Sequence, residues 1–298
     1  MARTAPATLP DGLVAPGHSH GLLDVFRWRF LLKLLVRKEL RVRYRGSALG
    51  LFWSYVKPAA QLAVFYVAMG KFMRLSDSLP NFVIYLFSGI VVVNFFTEVF
   101  HNTTRSIVEN SDLVKKIYMP RELFPVSSVL VALVHLLPQL LVLVVAALFT
   151  GWRPGGLNLL AIVASMIVTG AFALGLGLLF GAVNVLFRDA ENLVDLILMM
   201  ATWLSPVLYT WHLVRDALAD PLWALYQLNP ITPAVELAHY GFWLPSTAVT
   251  GRFDGATTPA LPDPFWPWAV AAAAVTAAFV VLGQFVFHRL EGRFAQEL

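Results

Sequence analysis

The chain has 298 residues, of which 58% are hydrophobic and only 13% charged, with a formal charge of +4 and a mean hydropathy of +0.69. Soluble domains carry roughly 25% charged residues, and a core of this length cannot hide so much apolar surface. A soluble globular protein is therefore excluded and an integral membrane protein expected; with no cysteine, disulfides, thiolate metal sites and thiol nucleophiles are excluded too.

Residues 1–21 hold Pro6, Pro10, Gly12 and Pro16 and no apolar run. They lack the features of a signal peptide and are expected to form a disordered cytoplasmic tail, in which His18 and His20 read as solvated residues. Residues 22–36 are too short and too charged to span. Arg29, Lys33, Arg37, Arg41 and Arg45 recur every four residues, and Val25, Trp28, Leu32 and Leu35 form an apolar face beside them. This predicts a basic amphipathic helix lying in the membrane interface; a cytosolic helix packed on a partner is the alternative. The helix runs into residues 37–53, RKELRVRYRGSALGLFW, where the basic cluster meets a Gly-Ser turn and then an apolar run. Such a cluster marks the cytoplasmic side and also suits a phosphate-bearing headgroup or ligand. Residues 22–50 thus form one unit, an interfacial helix and basic junction.

The membrane domain is expected over 51–288, with 289–298 as a cytoplasmic tail. About 20 helical residues cross a hydrocarbon core of about 30 Å. Six runs qualify: 51–72, with Lys57 and Pro58 in its first turns, 81–100, 126–149, 157–187, 193–211 and 265–288. The fourth is longer than a span requires and is expected to tilt or project. Residues 222–244 are apolar but broken at Asn229, Pro230 and Pro233, which predicts a re-entrant helix pair before the last span. A full seventh span there would put Arg289 outside. On the six-span reading, nine Lys and Arg precede Gly46, four lie in 102–125, and Arg188, Arg289 and Arg293 complete the inner side. Only Arg74, Arg153, Arg215 and Arg252 fall outside. That bias places both termini in the cytoplasm.

No GxxxxGK[ST] loop is present, so the chain does not bind ATP by that device. Ser165, Thr169, Ala173, Gly177 and Gly181 recur every four residues and read as a ridge for close helix packing. Between the second and third spans, Asn110, Ser111 and Asp112 offer an N-cap, residues 113–119 a short helix, and Pro120 its stop. Leu113, Val114, Ile117 and Tyr118 are expected on one side and Lys115 and Lys116 on the other. That shape suits a partner's groove, or else the bilayer surface. Lys57, Glu98 and Asp195 lie near the predicted cytoplasmic ends of spans, where snorkelling or interhelical pairing accounts for them. Phe65, Tyr66, Phe72, Tyr85, Phe87, Phe95, Phe96, Trp203 and Tyr209 crowd spans one, two and five. They read as membrane belts and packing, with stacking on sugar faces as the alternative.

The stretches RYRGSALGLFW, NSDLVKKIYMPRELFP, NVLFRDAENL and YQLNPITPAVELAHYGFW, set in this layout across residues 22–292, resemble recurring segments of type-2 ABC transporter permeases. The subfamily resembled is that of the polysaccharide exporters for O-antigen, teichoic acid and galactan-type polymers. The resemblance implies an all-α permease with six spans in the bacterial cell membrane. It would pair with a second copy of itself and with a separate ABC ATPase that binds ATP and Mg. Neither catalytic nor metal residues, nor a cofactor of its own, nor a nucleic-acid partner is implied. Asp112, Leu113, Val114, Lys115, Lys116, Ile117 and Tyr118 would form the coupling helix docking on that ATPase. Arg41, Arg43, Arg45, Gly46, Leu49, Gly50 and Lys57 would border the portal for a polyprenyl-diphosphate-linked polysaccharide. Phe65, Tyr66, Phe72, Trp203 and Tyr209 would line the sugar path, and 222–244 would shape the outer exit. A type-2 permease for a drug or lipid is the alternative, set apart by the basic interfacial helix that the polymer exporters share. A membrane enzyme acting on polyprenyl phosphates would need Asp, Glu or His gathered on one membrane face, where the sequence offers isolated acids.

Overall fold

The computed structural model of the chain describes residues 21–43, 45–46, 50–117, 119–247, 261–262 and 264–298. Residues 1–20 of the expected tail, Leu49, Tyr118 and residues 248–260 lie outside them. Among the described residues every regular element is helical.

A 3-10 turn, Gly21–Phe26, leads into α1 (Arg29–Arg43). The expected basic ridge is there: Arg29, Lys33, Arg37 and Arg41 are exposed, while Val25 and Leu35 are buried. Trp28, assigned to the apolar face, is 39% exposed. Two polar contacts fasten α1 to the bundle. Lys38 Nζ donates to Asn110 Oδ1 at 2.5 Å, and the Ser127 hydroxyl donates to Glu39 at 3.1 Å. The chain then turns through Gly46 at φ 75° and Gly50 at φ 49°, left-handed conformations that a side chain would strain.

After the 3-10 turn Gly50–Phe52 come α2 (Trp53–Phe65) and its π-helical continuation Tyr66–Phe72. The short α3 (Leu75–Ser78) connects to α4 (Phe82–Glu109), which is buried on most of its surface. Then follow α5 (Ser111–Lys116), α6 (Leu123–Phe149), α7 (Gly156–Leu186) and α8 (Ala190–Ala201). The chain continues through α9 (Trp211–Ala217), α10 (Asp220–Leu228) and α11 (Ile231–Ala238), and a π turn, His239–Trp243, carries α11 into α12 (Leu244–Thr247). Last come α13 (Phe265–Leu290), a 3-10 turn and α14 (Phe294–Glu297). Four helices among the described residues are long and apolar enough to cross a membrane: α4, α6, α7, and α13 with its continuation to Glu297.

Apolar surface gains little by leaving lipid, so such helices associate through close approach and interhelical hydrogen bonds. The small-residue ridge of α7 serves this purpose. Gly177 and Gly181 lie against Thr103 and Thr104 of α4, and Ser165 donates to the Ala234 carbonyl of α11 at 2.6 Å. On another side of α7, Gly175 meets α13, where a methyl on Gly283 would collide with the Gly175 carbonyl.

Several expected boundaries shift, and the run expected over 81–100 continues as α4 to Glu109. The run expected over 193–211 ends as a helix at Ala201, about 18 Å long at 1.5 Å per residue. Pro206 lacks the N–H that a continuing helix needs. Carbonyls in the non-helical stretch that follows find other donors: Leu204 accepts from Asn229 at 3.2 Å, and Tyr85 donates to Pro206 at 3.1 Å and to Tyr209 at 2.8 Å. The 222–244 pair forms as α10 and α11–α12, parted at Asn229 and Pro230. Pro233 falls in the first turn of α11, where a missing N–H costs nothing. Finally, α5 spans Ser111–Lys116 rather than 113–119. Ile117 is extended (φ −128°, ψ 129°) and leaves the helical register. The apolar side expected to be shared is therefore split, with Val114 buried and Ile117 49% exposed. Asn110 does not cap α5 with its side chain; its Nδ2 donates back to the Ser106 carbonyl at 2.8 Å.

Candidate functional site

A cavity of about 840 Å³ opens between the end of α1, α2, α4 and α6. Its wall on α4 comes from a polar stripe in an otherwise apolar helix. Asn94, Thr97, Glu98, His101 and Asn102 repeat at steps of three and then one residue, the pattern of one helix face. From α2 come Trp53, Ser54, Lys57 and Gln61 on a similar repeat, from α6 His135 and Gln139 one turn apart, and from α1 its last residue, Arg43.

At the mouth three helices converge on one carboxylate. Arg43 Nη1 donates to Glu98 Oε1 at 2.6 Å and lies 2.8 Å from His135 Nδ1, which is paired with the same oxygen. The side chains run from open to closed, with Arg43 40% exposed, Glu98 19% and His135 6%, so the network reaches from solvent into the bundle. Lys57 of α2 also lines the cavity and is exposed, with no ion pair among the described residues. Deeper in, Gln139 Nε2 donates to the His135 carbonyl at 3.3 Å. Beside the cavity α8 is bound to α4 by Arg105–Glu191 and by His101–Asp195 at 3.8 Å, two pairs one turn apart on each helix.

Of the residues expected at the portal, Arg43, Gly50 and Lys57 line this cavity. Arg41, Arg45 and Gly46 are exposed outside its lining, and Leu49 is among the undescribed residues. Of the acids expected to pair near span ends, Glu98 pairs with Arg43 and His135, and Asp195 approaches His101. The expected sugar-path aromatics lie elsewhere. Phe65 and Tyr66 pack on the main apolar cluster, Phe72 is 80% exposed and Trp203 58%, and the Tyr209 hydroxyl donates to the Trp203 carbonyl at 2.6 Å. Residues that sequence reasoning missed include His135, Gln139, Asn94 and Thr97; the repeat of polar residues along 94–105 was the available signal. Away from the cavity, Glu122, His288 and Glu291 bring donor atoms within 4.8 Å of one another. This is the grouping among the described residues with the donors to hold a cation.

A cationic mouth backed by amides and a hydroxyl, inside an apolar bundle, can take an anion that carries a polar, uncharged extension. Residues 31–243, a range that includes every residue lining the cavity, match the family described as ABC-2 type transporter. The chain is 30% identical over 209 residues to the O-antigen export system permease protein RfbA of Myxococcus xanthus, covering 70% of this chain and 78% of that one. It is 30% identical over 191 residues to the protein of that name from Klebsiella pneumoniae, covering 62% and 71%. It is 22% identical over 212 residues to the polysialic acid transport protein KpsM of Escherichia coli, covering 70% and 79%.

Proposed function

The chain belongs to the ABC-2 type transporter family, and from that membership and its polar cavity we propose that it is the permease of an ATP-driven polysaccharide exporter. The cargo on this reading is a cell-envelope polymer linked to a polyprenyl diphosphate and carried from the cytoplasm to the outer face. The relatives named for O-antigen export and polysialic acid transport support the polymer. The observation that carries the site is that Arg43 and Lys57 line one cavity in an apolar bundle. Charges set among spans are costly and mark pathways, and an Arg fork matches diphosphate oxygens.

The finer architecture is part of the same proposal. Six passes fit the chain's direction of travel. α7 ends beside α13's last turns, where Leu178, Val185, Phe287 and Phe294 share a cluster. The chain must therefore climb the bundle again between Leu186 and Phe265. In this reading α8 and the buried residues 205–208 make that fifth pass together, since non-helical backbone is tolerated in a membrane when protein surrounds it. The run from Trp53 to Phe72 makes the first pass, and α10 to α12 dip from the outer side as the re-entrant pair. A second copy completes the pore, with Phe65, Tyr66, Phe72, Trp203 and Tyr209 along the sugar's outward path. A separate ATPase, which binds ATP and Mg, docks on α5 through Asp112, Lys115, Lys116 and Ile117 at the cytoplasmic face of the bacterial inner membrane. Both termini lie in that compartment, and Arg41, Arg45 and Gly46 draw the anionic headgroup toward the mouth.

Depletion of the protein tests this reading. Cells should continue to make lipid-linked polymer and retain it inside. Wild-type protein should restore surface polymer, whereas Arg43→Glu with Lys57→Glu should restore less than a tenth of it at equal protein level. Surface polymer that persists in depleted cells would sink the reading.

A further inference from the structure

Behind its cationic mouth the cavity changes character. Gln61 of α2, Asn94 and Thr97 of α4 and Gln139 of α6 line it, and none carries a charge. Gln139 is 7% exposed, and its buried Oε1 has no hydrogen-bond partner among the described residues although its Nε2 has one. A buried acceptor left without a donor is unfavourable, and a turn of this cavity-lining amide would offer it to a donor that enters. Trp53 stands at the same cavity with its side chain partly open, 46% exposed.

The chemistry of the wall narrows the occupant. Amides both donate and accept, and a threonine hydroxyl does the same. A hard cation would seek carboxylate oxygens, and an acyl chain would seek a wall without polar atoms. A ring bearing hydroxyl and amide groups on its edges and C–H groups on its faces uses both donors and acceptors, and it can lie on an indole. We propose that Gln61, Asn94, Thr97 and Gln139, with Trp53, form a subsite for the sugar ring attached to the diphosphate. This inference rests on the function proposed above and extends it. Arg43 and Lys57 hold the charged group, and the amide wall then reads whether a sugar is attached to it. The subsite thus distinguishes a loaded carrier from a bare one.

The test uses the full-length protein in lipid nanodiscs and three probes: a polyprenyl diphosphate carrying N-acetylglucosamine, one carrying galactose, and one carrying no sugar. The wild type should bind at least one glycosylated probe about tenfold more tightly than the bare one, the gain expected of one or two net hydrogen bonds. Asn94→Leu with Gln139→Leu should bring the glycosylated and bare probes to within about twofold of one another, and Arg43→Ala should weaken all three. Equal wild-type affinity for all three probes would mean that the wall is wetted by water only, and would overturn the subsite while leaving diphosphate recognition standing. Loss of all binding by the wild type would overturn both. The wild-type comparison needs no variant, so a double variant that fails to fold does not shield the proposal.

Discussion

Arg43 is already engaged before any anion arrives, because Glu98 holds its Nη1 at 2.6 Å. A diphosphate that takes Nη1 must displace that carboxylate, and a partly buried carboxylate stripped of its partner is costly. His135 changes the balance: it is paired with the same oxygen from the buried side, so Glu98 keeps a partner when Arg43 leaves. The cost of opening the site is thereby lowered, and Arg43 is held in position rather than left mobile. Glu39, on the same helix, shows what a less favourable setting does. Burial raises its pKa above the ordinary 4.5, while the Ser127 hydrogen bond and then the charge of Lys38 pull it back. With a folded value above the unfolded one, the protonated form favours the folded state. The stability linked to Glu39 is fully present below about 4.5 and is lost as pH rises through the folded value. Glu39→Gln keeps an oxygen for Ser127 and removes the buried charge. It should raise the melting temperature at pH 7.5 by roughly 1–2 °C, with the gain gone by pH 4. No change at pH 7.5 would mean that burial of the carboxylate costs nothing there.

At the scale of elements, α5 has one side buried and one exposed. Val114 sits in a cluster with Leu35, Ile107, Leu123 and Phe294, whereas Ile117, Lys115 and Lys116 are exposed. Val114→Asp places a charge in that cluster and should cost about 3 kcal/mol or more, seen as poor accumulation or a lowered melting temperature. Ile117→Asp should leave melting unchanged and cut export about tenfold in vesicles containing the partner ATPase, while ATP hydrolysis persists. Full export by Ile117→Asp would move the docking surface elsewhere. Much of this architecture was legible beforehand, because periodicity is local: the four-residue basic repeat of α1 and the small-residue ridge of α7 both lie where the sequence puts them. The split in α5 was not, because residues 111–119 suit a longer helix, and only the packing of Val114 decides which side turns inward. The end of α8 had a signal in Pro206 that the apolar run around it masked. The convergence of Arg43, Glu98 and His135 left no local trace, since the three lie on different helices and their meeting depends on how α1, α4 and α6 cross.

At the scale of the molecule, the proposed mechanism requires the cationic mouth and α5 to face the compartment where ATP is hydrolysed. The packing gathers them at one end of the bundle. Lys38 of α1 bonds to Asn110, the residue between α4 and α5, and Arg43 reaches Glu98 less than four turns from the end of α4. The link between α6 and α7, which carries Arg153, lies a full α6 length away from that end. Because the sequence contains no cysteine, single cysteines can report each position against no background. Arg41→Cys and Lys116→Cys should react with a membrane-impermeant maleimide only after the cells are opened, and Arg153→Cys should react in intact cells. The first two positions are exposed, so each label reads the side its residue faces whether or not the variant still exports. Reaction of Arg41→Cys and Lys116→Cys from opposite sides would separate the portal from its motor. Reaction of all three from one side would mean that α6 does not cross, and the six-pass arrangement would fall with it.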